Sequence, residues 1–410
     1  MASPVIVLPV HNGATDVDRC LASLARWPDV PVVIVDDAST DARIAPLLAS
    51  FAASRAQVRI LSLPDNRGFV AASNAGAEAV DAGAMAVDAN ADLLFLNSDT
   101  EVTSGALDEM CAALEARPGA MVCCPLSTHA TFLSLPRYQQ PNDLPAGWDA
   151  EQMARQVREC AGDLAALDIP TPVGFCMWVR REAWTRFGPF DEAYGLGYGE
   201  EDDFGQRVQA SGGAIVCAPR AFVYHRGGAS FGDTPQVAER KRVNATLLAS
   251  RWPHYAERTR AFCQANPLRP LQEKLWDALL SAPERRAVHV MHVVARWESP
   301  GGALRESILA LCRATRGLAN HTVLVPMPDR GAWLDAIDHE FERGIRVVGL
   351  IGLERRFARF LDASPANVVH FHGHGIWEPM GAVDAARAAG RRILVTGETP
   401  MSEECAAVYK

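Results

Sequence analysis

Asp99 stands three residues beyond the apolar run Leu93-Leu94-Phe95-Leu96, within the stretch Asn97-Ser98-Asp99-Thr100. A carboxylate just past the carboxyl end of a buried strand sits where open α/β sheets take their ligands. It is also a hard oxygen ligand suited to Mg²⁺ or Mn²⁺. His225 leads into Arg226-Gly227-Gly228; its imidazole can join a carboxylate on Mn²⁺, and the glycines let the backbone approach a ligand closely. Glu200-Glu201-Asp202-Asp203 open a helical stretch. The helix dipole favours an acid in the first turn by about 0.3–1 kcal/mol, which accounts for one or two of them. Four in a row repel one another, and the surplus suits a general base that takes a proton from a hydroxyl nucleophile. Asp36-Asp37 close another apolar run. An acid there can hydrogen-bond a ribose or a base edge, although Ser39 or Asp41 could cap the following helix unaided.

These residues need a scaffold, and the apolar pattern supplies one. Strand-like runs at 5–10, 30–35, 58–63 and 93–96 alternate with helical spacing at 16–26, 41–53, 70–80 and 104–116. Such alternation implies a parallel sheet with right-handed crossovers, a Rossmann-like nucleotide-binding arrangement. Residues 125–149 read as surface loop. A helix at 151–166, a strand at 173–179, a helix at 181–187, a glycine-rich loop at 195–199 and a helix at 201–210 follow. Two short strands at 215–218 and 221–224 lead to His225. The proline-containing segment 266–283 marks a junction. After Arg286 the rhythm restarts, with strands at 288–295, 322–325, 347–351, 368–372 and 393–395 and helices at 304–315 and 380–389. The expected architecture is α/β throughout: a first domain over 1–262, a linker over 263–285, and a second Rossmann-like unit over 286–410.

Length agrees, since 410 residues exceed one ordinary hydrophobic core. A composition 49% hydrophobic and 22% charged is globular. The net charge of −9 argues against a nucleic-acid binder, which needs a basic surface. Ten cysteines without a CxxC pair argue against a zinc site or a disulfide framework and for buried reduced thiols. With no signal-like start and no run of about eighteen apolar residues, the expectation is a cytoplasmic protein, at most peripheral at the inner face of a membrane.

The ordered succession Pro9-Val10-His11-Asn12, Val35-Asp36-Asp37-Ala38-Ser39, Asn66-Arg67-Gly68-Phe69, Leu96-Asn97-Ser98-Asp99, Gly199-Glu200-Glu201-Asp202-Asp203-Phe204 and His225-Arg226-Gly227-Gly228 resembles glycosyltransferase family 2 over about residues 1–255. The resemblance implies the GT-A fold and metal-dependent, inverting sugar transfer from a nucleotide-diphosphate donor. It implies that Pro9, His11, Asp36 and Asp37 hold the nucleotide base, with Asn66 and Gly68 beside the nucleoside. Asp99 takes the place of the last acid of the family's Asp-x-Asp metal motif. Asn97 replaces the first acid, so Asn97 and Ser98 join the nucleotide site while Asp99 is the sole carboxylate ligand. His225 matches a histidine that completes the metal site, for Mn²⁺ or Mg²⁺. The acid run admits two registers: Glu201 is the expected base, Glu200 the alternate and Asp202 a weaker one. Trp178, Tyr194 and Tyr198 offer rings on which an acceptor sugar could pack.

A UDP-sugar or dTDP-rhamnose is the implied donor, and a surface polysaccharide or lipid-linked glycan the implied acceptor. Two readings compete. A sugar nucleotidyltransferase would need a basic glycine-rich loop after the first strand, and no Lys or Arg precedes Arg19 there. A non-catalytic interaction module would have lost Asp99 or the acid run. The second unit, with Gly301-Gly302 before a helix and Val369-His370-Phe371-His372-Gly373-His374-Gly375 later, resembles the N-terminal, acceptor-facing half of a GT-B glycosyltransferase of the family 4 type, without the donor-binding half. His370, His372 and His374 alternate at a strand end but carry no neighbouring carboxylate or cysteine at ligand spacing, so they read as cleft-facing rather than metal-binding.

Overall fold

A computed structural model describes residues 4–83, 88, 90–145, 148–227 and 234–281, and thereafter 288–295, 302–315, 319–327, 345–351, 357–358, 361–362, 364, 366–373 and 381–396. The chain divides into two compact units, residues 1–275 and 276–410.

In the first unit, strands β1 (Val5–Val10), β2 (Val32–Asp36), β3 (Val58–Ser62) and β4 (Leu93–Leu96) form a parallel sheet in the order β3-β2-β1-β4. β1 and β4 are buried along their whole length, as expected for strands covered on both faces. Helices α1 (Ala14–Leu24), α2 (Ile44–Ala53) and α3 (Gly68–Asp81) make the connections. Gly76 lets α3 close on the sheet, since a Cβ there would fall 2.5 Å from Val7 Cγ1.

Beyond β4 the sheet becomes mixed. β5 (Thr100–Val102), α4 (Ala106–Ala116), β6 (Ala120–Leu126), α5 (Ala150–Ala161), β7 (Leu167–Asp168), β8 (Cys176–Val179), α6 (Arg181–Phe187), α7 (Glu200–Ala210) and β9 (Ala214–His225) follow in the chain. β8 runs antiparallel to both β4 and β6, while β6 is parallel to β9. The parallel sheet expected from the first four strands is present, and the antiparallel β8 lies beyond them. The two short strands expected before His225 are one. Pro219, with no N–H to donate, lies where the β6–β9 register shifts between Pro125 and Leu126. The last three residues of β9 leave β6 and pair with β5, placing Thr100 opposite His225.

Residues 125–149 are also not a simple surface loop. Ser127, Thr128, Ala130, Phe132, Leu133, Leu135, Arg137, Tyr138 and Asn142 are buried, and the Asn142 side chain binds backbone around Arg137. The polar residues that suggested exposure satisfy interior backbone groups instead. Helices α8 (Pro235–Arg251), capped by Thr234 and with Pro235 in its first turn, and α9 (Tyr255–Ala265) follow. The segment read as a linker contains α10 (Arg269–Ser281), with Leu271 and Leu275 buried.

The second unit is a parallel sheet of β10 (Val288–Val293), β11 (Ala319–Met327), β12 (Ile345–Ile351), β13 (Val368–His372) and β14 (Arg392–Thr396), in the order β12-β11-β10-β13-β14. α11 (Ala303–Ala314) contributes Ile308, Leu309 and Cys312 to a core with Val294, Val323 and Val325. α12 (Ala382–Ala388) contributes Ala382, Val383 and Ala386 to another with Met291, Val293 and Phe371. Gly301, His374 and Gly375 lie outside the described residues.

Candidate functional site

A cleft of about 320 Å³ opens at the carboxyl ends of β1, β2 and β4, the place where a parallel sheet leaves a crevice for ligands. Pro9, His11, Asp37, Asn66, Gly68, Asn97, Ser98, Asp99, Tyr198, Glu200, Glu201 and His225 all line it. Residues more than two hundred positions apart therefore share one wall.

On one side, His11 Nδ1–H donates to the Asp37 carbonyl at 2.7 Å. A carbonyl can only accept, so His11 Nε2 is left to accept from the amides of Asn66 and Asn12, each at 3.0 Å. The Asp37 carboxylate accepts the Arg67 and Gly68 backbone N–H groups, both at 2.7 Å, and thereby anchors the start of α3. Gly68 has φ +82°, and a Cβ there would come 2.5 Å from Leu196 Cα, so only glycine brings this helix start against the 195–199 loop. Asp36 does not line the cleft; its Oδ1 accepts from Ser39 N–H and shapes the turn after β2.

On the other side, His225 Nδ1–H donates to the His129 carbonyl. In the neutral ring Nε2 is then a bare lone pair, and it lies 3.2 Å from Asp99 Oδ1. That oxygen is buried and has no hydrogen-bond partner among the described residues. Burial pushes the Asp99 carboxyl up, but a proton on His225 Nε2, which brings a hydrogen bond and a positive charge, outweighs it together with nearby backbone amides, and the net displacement is downward; a divalent cation would take the place of that proton. An ionised buried oxygen facing an imidazole lone pair is a donor set that fits a divalent cation. Phe175 stacks on the His225 ring at 5.0 Å and 11°, fixing its plane. Gly227, at φ +70°, admits the His129 ring, which a Cβ would meet at 2.7 Å.

The acid run divides cleanly. Asp203 accepts from Arg207 Nε at 3.0 Å and Trp252 Nε1 at 2.9 Å, and Asp202 accepts from Thr171 Oγ1 at 2.6 Å; neither lines the cleft. Glu200 and Glu201 do. Glu200 is 3% exposed, and its Oε2 is unpartnered among the described residues. Burial, with the charge of Asp202, raises its carboxyl to about 7 against backbone hydrogen bonds that lower it. Burial and the charges of Glu200 and Asp202 push Glu201 up as well, while its Oε2 accepts from Gly199 N–H at 3.2 Å. The two carboxyls titrate as a pair.

Residues 5–187 match the family described as glycosyl transferase family 2. This segment belongs to that family. The first unit is therefore built around a glycosyltransferase domain. No curated protein matches the chain. Among solved structures, GalNAc-T7 with UDP, GalNAc and Mn²⁺ is similar at 16% identity and a TM-score of 0.46, over 68% of this chain and 54% of that one. The chain thus spans about half the length of that protein. Staphylococcus aureus TarS 1–349 is similar at 15% identity and a TM-score of 0.39, over 68% of this chain and 83% of that one. Its complex with UDP-GlcNAc gives the same identity and score over 81% of that chain.

Two of the three rings expected as an acceptor platform are elsewhere in the glycosyltransferase unit. Trp178 is buried, and its indole N–H donates to Asp92 Oδ2 at 2.9 Å, at the opposite end of β4 from the cleft. Tyr194 is buried, with its hydroxyl 3.4 Å from Asp203 Oδ1. Both are large apolar rings whose polar tips found interior acceptors. Tyr198 does line the cleft, in a left-handed conformation (φ 76°) rare for a ring-bearing residue. Asn244 on α8 holds it there, its side-chain amide donating to the carbonyls of Tyr194, Gly197 and Tyr198 at 2.8–3.0 Å. Sequence reasoning missed His129, Phe175 and Asn244. His129 sat in the supposed loop, and nothing local marks a residue that works by supporting another across the fold.

No helix among the described residues is long and apolar enough to cross a membrane. No disulfide joins any of the nine cysteines among the described residues.

Proposed function

We propose that the first unit moves a sugar from a nucleoside-diphosphate donor to a hydroxyl acceptor in a single inverting displacement. The observation that carries this reading is His225 Nε2 facing the buried Asp99 Oδ1 at 3.2 Å, in the same cleft as the Glu200–Glu201 pair. Asp99 and His225 would hold Mn²⁺ or Mg²⁺, whose charge, when bound, neutralises the leaving diphosphate. Asn66, Asn97, Ser98, Pro9 and the His11 ring form the nucleotide side of the cleft, and the Asp37 carboxylate supports it through Gly68 rather than by direct contact. Glu201, less deeply buried than Glu200, takes the proton of the acceptor hydroxyl. Glu200 sets when that base is free, because its charge raises the Glu201 carboxyl. Tyr198 provides the apolar face for the acceptor sugar.

The donor is a UDP-sugar or dTDP-rhamnose, and the acceptor a surface or lipid-linked glycan met in the cytoplasm or at the inner face of a membrane. The second unit, whose strand order is Rossmann-like, is read as the acceptor-facing half of a GT-B-type domain. Calorimetric titration with UDP and with dTDP, with Mn²⁺ or with a chelator, tests the core of this proposal. Metal-dependent binding of one nucleotide, lost in Asp99→Ala, is expected. Failure of both nucleotides to bind in the presence of metal would return the unit to a non-catalytic interaction module.

A further inference from the structure

The second unit carries a histidine cluster that its sequence reading set aside. His321 on β11, His292 on β10 and His370 and His372 on β13 are all buried. His292 and His370 are register partners on neighbouring strands, and His372 follows two residues on, on the same face. Imidazoles therefore occupy places that aliphatic side chains fill elsewhere on this sheet.

The hydrogen bonds fix most of the tautomers. Thr315 Oγ1 donates to the Leu311 carbonyl at 2.8 Å, so it must accept at 2.7 Å from His321 Nε2–H. His321 Nδ1 then accepts at 3.0 Å from His292 Nε2–H. Neutral His292 is left with a bare Nδ1 lone pair, directed at His372 Nε2 at 3.0 Å. His372 Nδ1 lies 3.1 Å from Thr396 Oγ1 on β14. His370 completes the group, its ring centroid 4.0 Å from that of His372 and 5.3 Å from that of His292. It is 8% exposed, and neither ring nitrogen has a hydrogen-bond partner among the described residues. A buried imidazole with both nitrogens unsatisfied is costly, and something must compensate it.

We propose that His292, His370 and His372 form a transition-metal site, for Zn²⁺ by preference. One ligand atom from each lies within 4.8 Å of the others, and three imidazoles with an open fourth position are a known zinc arrangement. Bound metal accepts the His292 Nδ1 and His372 Nε2 lone pairs and gives His370 the partner it lacks. His372 then donates Nδ1–H to Thr396 Oγ1, the kind of outer hydrogen bond that orients metal-bound histidines. A second grouping of His292, Cys312 and His321 also lies within reach, but there the His292 nitrogen already carries the proton it gives to His321. Burial keeps His292 and His372 neutral, and neutral imidazole is the form that binds metal.

The test uses the full chain carrying Asp99→Asn, which removes the carboxylate of the proposed cation site in the first unit. Metal-free protein is titrated with Zn²⁺ by calorimetry and with Co²⁺ by visible absorption, in excess Mg²⁺. One Zn²⁺ per chain and a tetrahedral Co²⁺ spectrum without a thiolate band are expected. His370→Phe, which keeps the ring volume, should weaken binding at least about tenfold, and Thr396→Val should weaken it about 10–100-fold. Absence of binding, a thiolate band, or undiminished affinity in a folded His370→Phe protein would each overturn the site. Because the Co²⁺ spectrum is read without any change in the second unit, the proposal stays testable even if His370→Phe does not fold.

Discussion

Replacing Glu200 by Gln should reverse the sign of its effect on stability between mildly acidic and mildly alkaline solution. The native carboxyl titrates at about 7 against an ordinary value of 4.5, because burial outweighs its backbone hydrogen bonds. A raised native pKa means that the folded protein holds the proton more tightly than the unfolded chain. The stabilisation is complete below about pH 4.5 and is lost as pH rises through about 7. At about 1.4 kcal/mol per pKa unit, ionising Glu200 in place costs roughly 3 kcal/mol. Gln cannot ionise, so the variant escapes that cost at high pH. Its amide, however, places donors where Oε2 has no partner among the described residues, a penalty of about 1 kcal/mol. The net expectation is a variant about 2 kcal/mol more stable than wild type near pH 8 and about 1 kcal/mol less stable near pH 4.5. Urea unfolding followed by tryptophan fluorescence at several pH values measures this. The transition of the first unit must be resolved from that of the second, since two units need not unfold together. A variant less stable at every pH, or a wild type that gains stability from pH 5 to pH 8, would refute the electrostatic account of the site.

The same pair predicts kinetics: activity rises with pH through the neutral range as the raised carboxyls ionise, and Glu201→Gln lowers kcat about 10²–10⁴-fold while nucleotide binding survives. Glu200→Gln, by removing a neighbouring charge, shifts the rising limb of the pH profile to lower pH. Gly68→Ala should destabilise the first unit by more than about 1 kcal/mol in thermal or urea unfolding, because alanine must adopt φ +82° and meets Leu196 backbone at 2.5 Å. Asn244→Ala removes the amide that holds three carbonyls of the 194–198 loop. It is expected to raise KM for acceptor with little change in donor affinity, and equal losses in both would contradict a role for Tyr198 in acceptor binding. Trp178→Phe should cost about 1–3 kcal/mol by leaving Asp92 short of a donor, with acceptor KM unchanged in steady-state assays.

The β-α alternation of the first hundred residues was legible because strand and helix periods are local properties of the chain. So was the second Rossmann-like unit. The ordered motifs around His11, Asn66, Asp99, Glu201 and His225 were legible for a different reason: these cleft-lining residues sit at strand ends and helix starts, where polar side chains interrupt apolar runs. What the sequence left open was how its four consecutive acids divide. Only Thr171 and Trp252, brought against α7 by the fold, together with Arg207 one turn along it, hold Asp202 and Asp203 away from the cleft and leave Glu200 and Glu201 facing it. Trp178 and Tyr198 show the same limit, since an aromatic ring is equally suited to a core or a sugar until its neighbours are placed. The antiparallel β8, the register shift of β9 around Pro219 and the contact of Thr128 with the His225 carbonyl depend on pairings across more than fifty residues. Distant partners leave no local period to read, and those partners bring His129 to His225 and His292 to His370.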